Sequence, residues 1–226
     1  MSSERGRKVH GEAERARERG ESLEALKIYD EATLVYQEDG DMLGLAEVQS
    51  ARQLTFGHLH DKTGDSVFLI LGKYAAMSAV EIAEKYGEPE SLALPYERLG
   101  QAHEALGELD QAIEYYKKAV EASKSLSEFH DNNSVRAEIR SRLATAELKN
   151  GDESALERAL KTIDEINEKE VGKYVRDVWV SGVYMRIAEA TNSKEYLEKA
   201  KEIVNKNEEL ELRKRQLEKL SEKLGF

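Results

Sequence analysis

The histidines are the first residues to test for chemistry, because imidazole is the common metal ligand and general base near neutral pH. His58 and His60 stand two positions apart, which on a helix places them on different sides and makes them a poor chelating pair. His60 and His103 each precede a Gly-acidic pair by four residues, and a shared column of that kind reads as a packing position. No His-Glu-x-x-His run, calcium loop or Gly-rich phosphate loop occurs. Carboxylates are plentiful, but they sit at salt-bridging spacing on helical stretches, as Glu114 does with Lys117 and Lys118. With no cysteine there is no thiol nucleophile, thiolate metal site or disulfide. No general acid and base converge, so no enzymatic activity, cofactor or metal is expected.

The elements that carry these residues are helical. Charged residues make up 35% of the 226, and there are only two prolines, Pro89 and Pro95; Ala, Leu, Glu and Lys dominate, as in long-helix proteins. A formal net charge of −11, from 45 acidic and 34 basic residues, repels phosphate backbones and anionic lipid surfaces. Neither nucleic acid nor membrane is therefore expected as a partner. The amino-terminal stretch has no apolar core of the signal-peptide kind, and no run approaches the roughly 18 apolar residues of a membrane span. A soluble, cytoplasmic protein is expected. Asn132-Asn133-Ser134 has the form of a glycosylation sequon, but without export it reads as a helix start.

One short pattern recurs: Gly20-Glu21, Gly64-Asp65, Gly107-Glu108, Gly151-Asp152 and a degenerate Asn192-Ser193, at spacings of 44, 43, 44 and 41. Gly or Asn suits the left-handed residue that ends a helix, and an acidic or hydroxyl residue favours the next start. Each pair therefore predicts the tight turn of a helical hairpin. Further breaks fall at Gly40-Asp41, Gly87-Glu88-Pro89, Phe129 to Ser134 and around Gly172. Helices are predicted at about 8–18, 21–38, 42–62, 65–86, 90–106, 109–127, 132–149, 152–168, 170–190 and 193–205. An eleventh, about 207–224, carries Leu210, Leu217, Leu220 and Leu224 on one side and suits a helix that caps the stack or pairs with a second copy. Alignment on the turn gives columns that must pack: Ala13, Gly57, Gly100, Ala144 and Met185; Glu12, Phe56, Leu99, Leu143 and Tyr184; Ala32, Ala76, Ala119, Ile163 and Val204.

Residues 91–123 resemble a tetratricopeptide repeat, with Tyr96, Leu99, Gly100, His103, Gly107, Ala112, Tyr116 and Ala119 in the signature places. The other units keep fewer of these positions, and the repeat runs to 41–44 residues where 34 is usual. The resemblance implies an all-α, right-handed α-solenoid of about five antiparallel hairpins. The corresponding repeats are about 6–40, 41–88, 89–130, 131–169 and 170–206, forming one domain over 1–206 with a capping helix over 207–226. It also implies an interaction scaffold or adaptor that holds a peptide or partner helix, alternatively a regulator that senses a peptide or small metabolite.

In that family the first helix of each hairpin lines a concave groove. The resemblance directs Thr55, His58, Lys62, Arg98, Gln101, Arg142, Thr145, Trp179 and Arg186 toward it. Arg98 and Arg142 would stack in one column and suit a carboxylate or acidic segment; alternatively they pair with Glu97, Glu104 and Glu138 on the same helices. Trp179, the single tryptophan, either anchors a ligand or packs beneath the final helix. The partner is a protein or peptide, and the chain itself is a monomer or homodimer.

Overall fold

The computed structural model describes residues 2–125 and 133–226, and it divides into two compact units, residues 1–125 and 126–226. Among the described residues all regular structure is helical, with no strand. Most of the predicted break from Phe129 to Ser134, and the predicted end of the sixth helix at 127, lie outside the described residues.

The first unit is three successive hairpins. Helices α1 (Glu4–Glu18) and α2 (Ser22–Glu38) pair, then α3 (Met42–Thr63) and α4 (Val67–Tyr86), then α5 (Ala93–Ala105) and α6 (Leu109–Ser123). α2 also packs on α3 and α4 on α5, and the first helices touch in sequence, α1 on α3 and α3 on α5. α1 begins at Glu4, ahead of the predicted start, because the Ser3 side chain accepts a hydrogen bond from the Gly6 amide at 2.7 Å and caps the helix. Pro89–Leu92 forms a 3-10 turn before α5, as a proline near a helix entrance favours.

The second unit holds α7 (Asn133–Lys149), α8 (Ala155–Glu165), the single turn α9 (Glu168–Val171), α10 (Lys173–Thr191), α11 (Lys194–Asn205) and α12 (Glu211–Leu224). α7 packs on α8 and α10, α10 on α11, and α12 on both α10 and α11. The span read from sequence as a helix over 152–168 is shorter, because Ile166 leaves helical geometry and turns its side chain into the core. Gly172, at φ 79°, separates α9 from α10, an angle that glycine adopts without strain.

The recurring dipeptide acts as read. At four turns the second residue donates its amide to the carbonyl five residues earlier: Glu21 to Ala16, Glu108 to His103, Asp152 to Glu147 and Ser193 to Ala188, at 3.0–3.1 Å. That bond closes the helix end over a left-handed residue. Asn192, at φ 50°, is the one non-glycine among the described residues to adopt that geometry. Burial follows the stack and has no single centre. One cluster joins Ala13, Tyr29, Ala32 and Val48, another Ala76, Val80, Leu99 and Ala102, and in the second unit others join Ala144, Ala159 and Val183, and Ala188, Val204 and Leu217. Most members of the predicted packing columns are buried, Gly57, Leu143, Ile163 and Tyr184 are partly buried, and Glu12 is exposed, a charged side chain that the column had placed in the packing.

Candidate functional site

In the first unit the groove column is partly consumed by the fold. Thr55 is fully buried and donates its hydroxyl to the Ala51 carbonyl at 2.9 Å, so it faces the packing and not solvent. His58 is half-buried, and Lys62 is exposed in the last turn of α3. On α5, Glu97 is buried and organises its neighbours: Gln101 donates to Oε1 at 2.8 Å, and Arg98 Nη1 lies 3.5 Å from the same oxygen. His103 is buried, with Nδ1 2.5 Å from Glu108 and its ring stacked on Tyr115, which accounts for it as a packing residue.

A second charged cluster in this unit is fully balanced. Glu14 on α1 binds Arg17 and the Tyr29 hydroxyl, with His10 at 3.7 Å. Burial opposes its charge, but His10, Arg17 and Tyr29 together hold the carboxyl down to about 2.

The second unit brings Arg142, Thr145 and Arg186 together around one carboxylate. Glu138 on α7 is buried, and its Oε1 accepts from Arg142 Nε at 2.9 Å while Oε2 accepts from Ser141 at 2.9 Å. Arg186 reaches across from α10, donating to the Ser141 hydroxyl at 2.7 Å and the Thr145 hydroxyl at 3.1 Å, with Glu138 at 3.4 Å. Burial alone would raise the Glu138 carboxyl, yet Arg186 and Arg142 hold it below the ordinary range. Thr145 is buried, and its hydroxyl also donates to the Ser141 carbonyl. Trp179 packs against the α7, α8 and α10 cluster, while the underside of α12 is filled by Val178, Met185 and Val204.

Sequence reading missed Arg213, which α12 carries to the same place. Its Nη2 donates to the Val178 carbonyl at 3.1 Å and its Nη1 to Gln216 at 2.8 Å. Burial, with Arg142 and Arg186 nearby, pushes it down to about 10. The signal was present: position 213 lies between Leu210 and Leu217 at helical spacing, so a charge there falls on the buried stripe. Gly182 gives these side chains room, since a Cβ there would stand 3.3 Å from Arg186 Nη1 and 3.5 Å from Arg213 Nη2.

A tetratricopeptide-repeat family model matches residues 76–125. That segment carries a tetratricopeptide repeat. It spans the end of α4, all of α5 and α6, and therefore the Glu97 cluster and His103. Among solved structures, a Podosopora anserina protein assigned as a kinesin light chain, with nearly identical TPR-like repeats, matches at TM-score 0.55 and 17% identity, covering 91% of this chain and 99% of that one. A point variant of it matches at TM-score 0.55 and 18% identity, covering 88% and 94%. These likenesses establish a tetratricopeptide-like fold. No curated protein matches the sequence. Among the described residues no His, Asp and Glu group forms a metal site, and no helix is long and apolar enough to cross a membrane.

Proposed function

We propose that the chain is a non-enzymatic interaction scaffold that holds an acidic peptide or partner helix along the first helices of its hairpins. The supporting observation is that buried carboxylates on these helices hold half-exposed polar side chains in fixed positions, Glu97 for Arg98 and Gln101, and Glu138 for Arg142 and Arg186. A side chain already immobilised loses little entropy when a ligand arrives, so the face is preorganised. Tetratricopeptide folds generally mediate protein contacts, and the absence of cysteine suits a reducing cytoplasm.

The test is capture of partners from the native cell by the tagged full chain, compared with Arg98→Glu. The variant is expected to retain its helical circular dichroism and lose most of the captured partner. Equal capture by both proteins, or no partner above a control resin, rejects the proposal.

A further inference from the structure

The second helices of the three hairpins in the first unit differ in what they show to solvent. Seven and ten residues beyond the turn glycine, α2 carries Lys27 and Asp30 after Gly20, and α6 carries Glu114 and Lys117 after Gly107. All four are exposed. At the same two places α4 carries Leu71 and Tyr74 after Gly64, exposed at 41% and 63%. Val67, Ile70 and Met77 are exposed as well, and helical spacing puts them on the same side, so an apolar stripe runs for about three turns. No charge interrupts it: Lys73 is half-buried and donates to Glu108 at 2.6 Å, and Glu81 stands beyond the end of the stripe. Contact that removes such a face from water is favourable.

We propose that this stripe pairs with the same stripe of a second copy of the chain, forming a two-fold dimer through antiparallel α4 helices. The area fits. Taken with ordinary side-chain areas, the fractional exposures of the five residues leave roughly 400 Å² of apolar surface uncovered. One side of a standard interface covers about 800 Å², somewhat over half of it apolar, so the stripe supplies most of what one side needs. An uncharged stripe is complementary to itself, as a two-fold interface requires. A different protein would have to bring a matching apolar face, whereas every copy of this chain already carries one. Antiparallel pairing about Leu71 and Tyr74 also carries Glu81 and Glu84 past the Val67 of the other copy, so these carboxylates do not meet their own counterparts. The carboxy-terminal helix, the pairing surface expected from sequence, has spent its leucines: Leu210 and Leu217 are buried, and Leu220 and Leu224 pack on the same cluster.

The pairing is independent of the scaffold reading, which uses the first helices of the hairpins. Sedimentation equilibrium of the full chain over a concentration series should move from the monomer mass of 25.5 kDa toward twice that value. A net charge of −11 opposes the approach of two copies, so added salt should strengthen the dimer, whereas salt weakens a pairing held by opposite charges. The double variant Leu71→Lys, Tyr74→Asp gives α4 the residues that α2 carries at these places, so its helical circular dichroism should be unchanged. Two-fold symmetry puts each substitution into the interface twice, and the dissociation constant should rise about a hundredfold or more. Tyr74→Phe keeps the apolar ring and should dimerise like the unaltered protein. Leu34→Glu, at an exposed leucine of α2 between Glu31 and Glu38, is the control and should leave the mass unchanged. Should the double variant lose helicity, Tyr74→Asp alone is read in its place. A monomer at every concentration and salt, a dimer that survives the double variant, an equal loss in Leu34→Glu, or dissociation by added salt overturns the pairing.

Discussion

Gly100 and Gly182 both stand on the first helix of a hairpin, and both are glycines because something large needs the space. At Gly100 the occupant is the Tyr116 ring, whose carbons lie 2.7 Å from where a Cβ would be; at Gly182 it is two guanidinium ends at 3.3 and 3.5 Å. Gly6 and Gly44 repeat the first pattern, since a Cβ on either would strike the Tyr36 ring. The charged clusters differ in the same sense. Glu14 in the first unit pairs with one arginine, with His10 and a tyrosine hydroxyl beside it, whereas Glu138 in the second lies within ion-pair reach of two arginines from different helices. One unit uses its first-helix glycines to seat an aromatic ring, and the other uses one to seat two guanidinium ends. A residue type in a column therefore reports a need for space and leaves open what fills it.

The largest way to break this comparison is Glu138→Ala, which leaves Arg142 and Arg186 without their buried counter-charge. It should destabilise the second unit by about 3–5 kcal/mol, read as a lower urea midpoint in the fluorescence of Trp179, the single tryptophan and a member of that unit's core. Gly100→Ala comes next. A rigid ring must shift to admit the methyl, at a cost of about 1–3 kcal/mol, and thermal denaturation followed by circular dichroism should show a midpoint several degrees lower.

The balanced cluster of the first unit makes the third prediction. Because the Glu14 carboxyl is depressed when folded, its contribution is complete above the ordinary carboxylate value and is lost as pH falls. The loss runs from about 4.5 toward about 2. Partial exposure screens it, so the effect should be up to about 2 kcal/mol, and Glu14→Gln should flatten the acid limb of a stability-against-pH curve over that window. The smallest stability effect belongs to Gly182→Ala, where flexible arginine ends can move aside, at a cost of about 1 kcal/mol or less.

The sequence by itself determined the hairpins. A helix ends where a left-handed residue follows it, and Gly20, Gly107, Gly151 and Asn192 announce that locally, within one turn of chain. The apolar columns on either side were legible for the same reason, since helical spacing alone places Ala32, Ala76 and Ala119 on one face. What filled each face was settled by residues far away in the chain. Thr55, placed in the groove by its column, is sealed by the hairpins around it, and Trp179 chose the α7 and α8 core over the final helix. Only tertiary structure decided that Arg213, 75 positions beyond Glu138 in sequence, would come to lie beside Arg142 and Arg186. Coulomb interaction depends on distance through space and on local burial, and neither is written in the spacing of residues along one helix.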